Sequence, residues 1–452
     1  MDRKREMDRR ILALLIPVIL ENALLTLSTM ILTGYIGRLA LVEINGYGIS
    51  RRIYGIYYSV FKGLAVGAMI AIARRFGMGD TKKCASLHKG SYILIIPISM
   101  IAAVLVWIFS RTLLTMMTSD PLLLDEGARY LRMTAPFYPL IAMVHLNAAA
   151  FQANGNTKTP MAIAAFGNLI TITLGYVFIF GIGPIRGMGI TGAAVGQNLS
   201  FLMMALSGLY LLYGRHGLFA HAGIRMMQLP KKDEVREILS AGIPASLEDS
   251  FWQMATVLIS NVILSYGQEY YAAYQVGLEG EGFCNMMSAG FMTAAMSLAS
   301  NAIGNRDEET YRLSFQRMHR ICLMISGITM TFLLLFSRGV LTLLTDKPEL
   351  IAIGSGYLFT MIFSQYPQHM KQVTSGFIRA SGHSRTSMFV NLIGLWMVRV
   401  PLAMLFGMVL KLPIVWIWWT FNIDQWVRLL LATAAFRRYK NMPVLNPETN
   451  AA

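Results

Sequence analysis

Long apolar runs, each about the length needed to cross a membrane, are separated along this chain by shorter polar links. Apolar runs recur from one end to the other, and a helix of about 20 such residues crosses the roughly 30 Å of bilayer hydrocarbon. The runs predict twelve transmembrane helices, at residues 11–38, 44–74, 90–110, 129–154, 159–183, 188–213, 238–265, 271–302, 316–337, 353–380, 386–410 and 412–436. We therefore predict an all-α, polytopic membrane protein.

Composition supports the bilayer as the surroundings of this chain. Of its 452 residues, 55% are hydrophobic and 14% are charged, whereas a soluble domain carries about a quarter charged residues. The net charge of +15 comes from Lys and Arg concentrated in the short links between apolar runs. That distribution is typical of the cytoplasmic side of a membrane protein, and we expect no nucleic-acid partner.

The basic residues also predict the orientation of the chain. The N-terminus, the links at 75–89, 214–237 and 303–315, and the C-terminal tail are rich in Lys and Arg, and the intervening links are poorer. Because cytoplasmic links carry the excess of basic residues, both termini should lie in the cytoplasm of a multi-pass plasma-membrane protein. The three cysteines, Cys84, Cys284 and Cys322, are too widely spaced for a disulfide framework. We expect free thiols, with Cys84 in a loop.

The second half of the chain repeats the first at a shift of 227 residues, without a gap for about 150 positions. The matches that apolar composition does not explain include Pro17 with Pro244, Gly63 with Gly290, and Asp80 with Asp307. Six helices per copy give both copies the same orientation, so we predict two lobes related by a pseudo-two-fold axis along the membrane normal. The expected divisions are an N-lobe at 1–213, a cytoplasmic linker at 214–237, a C-lobe at 238–436 and a cytoplasmic tail at 437–452.

Polar side chains mark one face of the first helix and one face of the seventh. The repeat lays Glu21 on Glu248. Stripes at helical spacing follow these two carboxylates: Asn22, Thr26, Thr29 and Thr33 in the first helix, and Asp249, Gln253, Thr256 and Ser260 in the seventh. Since lipid cannot satisfy a polar face, both should line a central cavity.

A carboxylate in that cavity has three interpretations. Burial disfavours its charged form, which suits a proton carrier. It could instead attract a cationic compound or coordinate Na⁺ near Glu248. The structural alternative is a buried ion pair between Glu248 and an arginine of another helix.

Two further helices carry candidate polar groups. The eighth has Glu281 and Asn285 on one face. We expect Glu281 to act as a second acidic site residue, after Glu248. The tenth has Gln365 and His369. A histidine within the membrane either relays protons or is a satisfied structural group.

Several segments together resemble the multidrug and toxic compound extrusion (MATE) family, over essentially the whole chain. They are GLAVGAMIAIARRFGMGD (63–80), GIPASLEDSFWQ (242–253), YYAAYQVGLEGEGF (270–283), FQANGNTKTP (151–160) and LWMVRVPLAMLFG (395–407). The resemblance implies a twelve-helix transporter. The seventh-helix carboxylate of the family is kept as Glu248, but its first-helix Asp falls on Leu32, and Thr171 and Gly175 replace its polar pair in the fifth.

From these features we expect export of small cationic or amphipathic organic compounds by antiport against H⁺ or Na⁺, with alternating access of the two lobes. A monomer without a cofactor is expected. The alternative is a flippase for a lipid-linked or anionic substrate, which basic residues within the spans favour: Arg51, Arg52, Lys62, Lys371, Arg379 and Arg399. We find no GxSxG or HExxH motif, so an intramembrane enzyme is not expected.

Overall fold

The computed structural model describes residues 2–220 and 231–438. Part of the predicted 214–237 linker and nearly all of the predicted 437–452 tail therefore lie outside the described residues. The helices are α1 (Asp2–Ile36), α2 (Leu41–Gly77), α3 (Thr81–Thr115), α4 (Pro121–Thr134), α5 (Tyr138–Ala153), α6 (Lys158–Phe180), α7 (Ile190–Tyr213), α8 (Lys232–Leu264), α9 (Gln268–Asn305), α10 (Glu308–Leu344), α11 (Pro348–Met361), α12 (Gln365–Ala380), α13 (Ser384–Leu392), α14 (Val400–Met404) and α15 (Val415–Arg438).

These elements form twelve helical segments at the predicted places, which confirms the all-α polytopic fold. Within the described residues, seven helices are long and apolar enough to cross a membrane. The other segments carry more polar residues or are interrupted. A hairpin of two-residue strands, β1 (Gly181–Ile182) and β2 (Ile185–Arg186), links α6 to α7.

The fourth and tenth segments are each interrupted by a 3₁₀ turn, at Ala135–Phe137 and at Ile362–Ser364. The two turns are related by the same 227-residue shift as the sequence repeat. Prolines lie beside both, at Pro139 and Pro367. Proline has no N–H to donate to the preceding turn and its ring crowds the carbonyl there, so the α-helical pattern breaks.

The eleventh segment departs from α-helical geometry twice. Wider π-helical stretches at Ile393–Arg399 and Leu405–Val409 lie on either side of α14. Such stretches change which side chains face a neighbour and are frequent at functional sites. Arg399 is the last residue of the first stretch.

The repeat extends to helix capping. Asp80 precedes α3 and caps it by accepting a hydrogen bond from the Lys83 backbone nitrogen at 2.9 Å. Asp307 caps α10 in the same way by accepting one from the Thr310 backbone nitrogen at 2.9 Å.

Helix α3 begins at Thr81, earlier than the predicted span at 90–110. Cys84 therefore lies in that helix and is buried, so its predicted position in a loop was wrong.

Two compact units divide the described residues. Unit 1 combines the start of α1, through Ile19, with the chain from Leu247 onward, and unit 2 runs from Leu20 to Ser246. Both divisions fall two residues after a matched proline, Pro17 or Pro244. Hence α1 and α8 each contribute to both units. The lobes at 1–213 and 238–436 stay a prediction.

Small residues let the first half of α8 pack closely on α2 in unit 2. A Cβ at Gly63 would lie 2.5 Å from the Ser246 nitrogen, and one at Gly67 would overlap the Ile238 carbonyl oxygen. The Ser246 hydroxyl donates to the Val60 carbonyl at 2.7 Å. Glycine is therefore required sterically at both helix positions.

Candidate functional site

A cavity of about 230 Å³ lies in unit 1 among α8, α12, α13 and α15. Charged, amide and aromatic side chains share its wall with aliphatic ones. The lining residues are Glu248, Asp249, Phe251, Trp252, Gln368, Lys371, Gln372, Met388, Asn391, Leu392, Leu395, Gln425 and Arg428. A neighbouring cavity of about 90 Å³ shares Trp252, Gln368 and Gln425 with it.

Glu248 forms an ion pair with Arg379 of α12, and both side chains are largely buried. Its other carboxylate oxygen accepts a hydrogen bond from the Asn391 carboxamide at 2.8 Å. The arrangement is the buried ion pair that was the structural alternative for this residue. Glu248 nevertheless lines the larger cavity beside Asp249, so its carboxylate lies next to space that a ligand could enter.

Asn391 connects the acidic and basic parts of the cavity wall. Its side-chain oxygen accepts from Lys371 Nζ at 3.0 Å and from Arg428 at 3.5 Å. Lys371 is 5% exposed and Arg428 is 4% exposed. Buried charges are costly unless they are paired or hydrogen-bonded, so this amide has a structural role in holding them.

Asp424 is the second carboxylate of this wall and is fully buried. It completes a network of hydrogen bonds and ion pairs that consists of Glu248, Lys371, Arg379, Asn391, Arg399, Asp424 and Arg428. It accepts from Arg428 Nε at 2.6 Å and pairs with Arg399 at 2.6 Å. The Arg399 guanidinium also lies 4.4 Å from the centre of the Phe421 ring. A Cβ at Gly394 would overlap the Arg428 side chain, so glycine there makes room for the pair.

Glu281 lines the smaller cavity together with Arg399. Its carboxylate accepts a hydrogen bond from the buried Tyr357 hydroxyl at 2.6 Å. The structure therefore separates the predicted acids of this unit. Glu248 and Asp249 line one cavity and Glu281 lines the other.

The remaining predicted residues of unit 1 line neither cavity. His369 is buried and contacts the Ser326 hydroxyl at 3.0 Å and the Cys284 carbonyl at 3.2 Å. Gln365, the first residue of α12, donates to the carbonyl of Met361, the last residue of α11, at 3.1 Å. Gln253 is half-buried on α8. The contacts of His369 and Gln365 are typical of polar groups that have a structural role.

Glu21 and Asn22 belong to unit 2. One carboxylate oxygen of Glu21 is buried and accepts no hydrogen bond from any residue that the structure describes. Lys62 is the charged neighbour of Glu21. The predicted functional role of both residues stays a prediction.

Three polar residues of the network were not singled out from the sequence: Asn391, Asp424 and Arg428. Lys371, Arg379 and Arg399 were named only as basic residues that favour the flippase alternative. The sequence did contain a signal for two of the three residues that were not singled out. Asp424 and Arg428 are four residues apart inside an apolar run, and that spacing places them side by side on a helix. Charged residues inside a membrane span face a partner or a cavity. Asn391 gave no such signal.

Na⁺ near Glu248 also stays a prediction. Over residues 2–220 and 231–438, no three His, Cys, Asp or Glu side chains gather as metal ligands. The Arg379 guanidinium occupies one oxygen of Glu248, so a cation would have to displace it.

Comparison with known proteins identifies relatives along the whole chain. The MatE family model matches residues 17–177 and 244–405. A probable multidrug resistance protein NorM of Thermotoga maritima is 25% identical over 428 residues, which cover 91% of this chain and 88% of that protein.

The fold recurs in solved structures of transporters. One is the outward-facing conformation of a multidrug resistance MATE family transporter of the MOP superfamily, with a TM-score of 0.87 and 20% identity over 96% of each chain. Another is a MOP superfamily transporter from Pyrococcus furiosus, described as having a binding pocket of reverse polarity that suggests a different function. It has a TM-score of 0.86 and 19% identity over 96% of each chain.

Proposed function

The chain belongs to the MatE family of membrane transporters, and from that premise we propose that it exports small cationic or amphipathic organic compounds by antiport against H⁺ or Na⁺. The NorM relative and the outward-facing structural neighbour are both described as multidrug resistance proteins, which supports this substrate class. Transport would proceed by alternating access, with both termini in the cytoplasm and the protein acting as a monomer.

The observation that carries the proposal is the position of Glu248 on the cavity wall, in an ion pair with Arg379. A proton on Glu248 would remove its charge and leave the buried Arg379 guanidinium without its counter-charge, with the Ser387 hydroxyl still hydrogen-bonded to it at 3.2 Å. A Na⁺ ion would compete with Arg379 for the same oxygen. Either event changes the attraction between α8 and α12, and a ligand shifts a conformational equilibrium only through such differential interactions.

The cavity wall supplies the contacts that an organic cation needs. Asp249 adds a second carboxylate beside Glu248, and Trp252 and Phe251 add aromatic faces. Aromatic rings attract cations through their negative π faces. Substrate and coupling ion would thus compete at one acidic wall.

Purified protein in proteoliposomes loaded with ethidium tests the proposal directly. An imposed pH or Na⁺ gradient should accelerate ethidium movement, and Glu248→Gln should abolish the acceleration. Glu279→Gln is the matched control, because Glu279 is an exposed carboxylate on α9 that lines neither cavity. Movement that ignores both gradients, or that is unchanged in Glu248→Gln, would exclude coupling through this residue.

A second candidate, transport of a lipid-linked or anionic substrate, is favoured by one observation. Four basic side chains are buried in unit 1: Lys371, Arg379, Arg399 and Arg428. The reverse polarity described for the Pyrococcus furiosus transporter is a precedent for such a pocket in this fold. Liposomes that translocate lipid-linked cargo but not ethidium would favour this candidate.

A further inference from the structure

The basic and acidic groups of the unit 1 network do not pair completely. The carboxylate oxygens of Glu248 accept from Arg379 and Asn391. Those of Asp424 accept from Arg428 and Arg399. All four oxygens of these two acids are therefore engaged by groups other than Lys371.

Lys371 is the basic side chain of this network that forms no ion pair with either carboxylate. Its ammonium donates to the neutral Asn391 side chain at 3.0 Å. No carboxylate oxygen among residues 2–220 and 231–438 lies within salt-bridge distance of it. A buried ammonium with one neutral acceptor is unfavourable unless a counter-charge completes it.

The space beside Lys371 is suited to supplying that counter-charge from a ligand. Lys371 and Arg428 both line the larger cavity, and both hydrogen-bond to the same Asn391 oxygen. Their charged groups thus lie near one another at one part of the wall. An ammonium and a guanidinium together match a carboxylate, because its two oxygens accept from both.

The apolar side chains of the cavity wall are suited to the apolar part of the ligand. Phe251 and Trp252 contribute aromatic surface, and Leu392 and Leu395 contribute aliphatic surface. The volume of about 230 Å³ exceeds the roughly 150 Å³ cavity that binds benzene in an engineered protein core. A fused aromatic ring system is therefore of suitable size.

We propose that Lys371 and Arg428 form an anion-binding subsite that holds the carboxylate of an aromatic organic acid in the larger cavity of unit 1. The inference rests on the proposed transport function, in the form of its second candidate with an anionic substrate, and names the chemical class of that substrate. The ligand carboxylate supplies a direct ion-pair partner for Lys371, which Glu248 and Asp424 do not, because their oxygens are engaged by other groups. The same subsite would hold the acidic end of a compound whose cationic end faces Asp249.

Two probes of matched shape test the subsite on the purified full-length protein. 2-Naphthoate and 2-naphthamide differ in whether the group on the ring is an anion or a neutral amide, and isothermal titration calorimetry gives both affinities. The unmodified protein should bind naphthoate at least about tenfold more tightly, a ratio that corresponds to about 1.4 kcal/mol, because only the anion accepts charge-assisted hydrogen bonds from Lys371 and Arg428. Lys371→Met should abolish this preference while changing naphthamide affinity less than about twofold.

Two variants serve as controls. Lys371→Arg keeps the positive charge and should keep the preference for naphthoate. Lys158→Met removes an exposed lysine in unit 2 and should leave both affinities unchanged. If Lys371→Met fails to fold, Lys371→Gln provides the same charge removal, and its folding is checked by thermal unfolding.

Several results would overturn the subsite. These are equal affinities for the two probes, binding of neither, or a loss in Lys371→Met that is the same for both. The ethidium assay is independent of these outcomes. Gradient-driven ethidium movement together with no naphthoate preference would remove the subsite and keep the transport function. A naphthoate preference without gradient-driven ethidium movement would keep the subsite and remove the proposed antiport.

Discussion

The Asn391 carboxamide donates to Glu248 at 2.8 Å while its oxygen accepts from Lys371 at 3.0 Å. A carboxamide has a donor end and an acceptor end, so this side chain holds an acid and a base of the cavity wall at fixed positions. No hydrocarbon side chain can replace either bond.

Replacing Asn391 by Leu should therefore destabilise the protein. The change removes one hydrogen bond from the Glu248 carboxylate and one from the Lys371 ammonium, both of which are largely buried. An unsatisfied buried group costs about 1–3 kcal/mol. We expect a lower thermal unfolding temperature in detergent and slower gradient-driven ethidium movement. Asn261→Leu, at an exposed position on α8, is the control. An unfolding temperature equal to that of the control would contradict the role assigned to Asn391.

A double-mutant cycle tests the ion pair between Glu248 and Arg379. Glu248→Gln leaves a buried guanidinium without its counter-charge, and breaking a buried pair in this way costs about 3–5 kcal/mol. Arg379→Met leaves the carboxylate alone at a similar cost. The double variant removes both charges and should recover a large part of the loss, measured as the free energy of unfolding. Additive losses would mean that the two side chains do not interact.

The local features of this chain could be predicted from its sequence, whereas its tertiary contacts could not. Each membrane span could be predicted because an apolar run is a local property of the chain. Glu248 could be proposed as a candidate site residue because a carboxylate in such a run is conspicuous. Its partner Arg379 lies 131 residues further along. A pairing at that separation depends on how α8 and α12 pack, which the repeat alone does not specify.

Other features needed atomic geometry. The π-helical stretch at Ile393–Arg399 has no sequence marker comparable to the prolines beside the 3₁₀ turns. The role of Gly394 follows from the Arg428 side chain that packs against it. Cys84 was misplaced because the apolar run begins near residue 90, whereas the polar residues before it continue the same helix from Thr81.

Two glycines of α2 should respond oppositely to alanine. At Gly67 a methyl group would overlap the Ile238 carbonyl oxygen, and overpacking of this kind costs about 1–3 kcal/mol. At Gly55 nothing lies within 4 Å of the added carbon. Alanine there should stabilise the helix by up to about 1 kcal/mol, because glycine loses more backbone entropy on folding.

Thermal unfolding of the two single variants measures this difference. Both change the same residue type in the same helix, so Gly55→Ala is the matched control for Gly67→Ala. Equal unfolding temperatures would indicate that α8 does not approach α2 at Gly67 as closely as described.

The charge of Asp307 should stabilise the start of α10 in a pH-dependent manner. Its carboxylate accepts from the Thr310 hydroxyl at 2.5 Å and from the Thr310 backbone nitrogen at 2.9 Å. These hydrogen bonds, with a smaller contribution from Arg3, lower the pKa of Asp307 below its ordinary value of 3.8. A carboxyl whose pKa is lowered by folding stabilises the folded state above its unfolded pKa, and that stabilisation is lost as pH falls through the folded pKa.

Asp307→Asn tests this charge while keeping a side chain that can cap a helix. The unfolding temperature of the unmodified protein should exceed that of the variant at about pH 6, and the difference should shrink as the pH approaches about 3. Asp346→Asn, at an exposed position before α11, should give a smaller difference. If the difference between the unmodified protein and the Asp307→Asn variant stayed constant over this range, the stabilisation would come from hydrogen-bond geometry alone, and the carboxylate charge would have no part in holding α10.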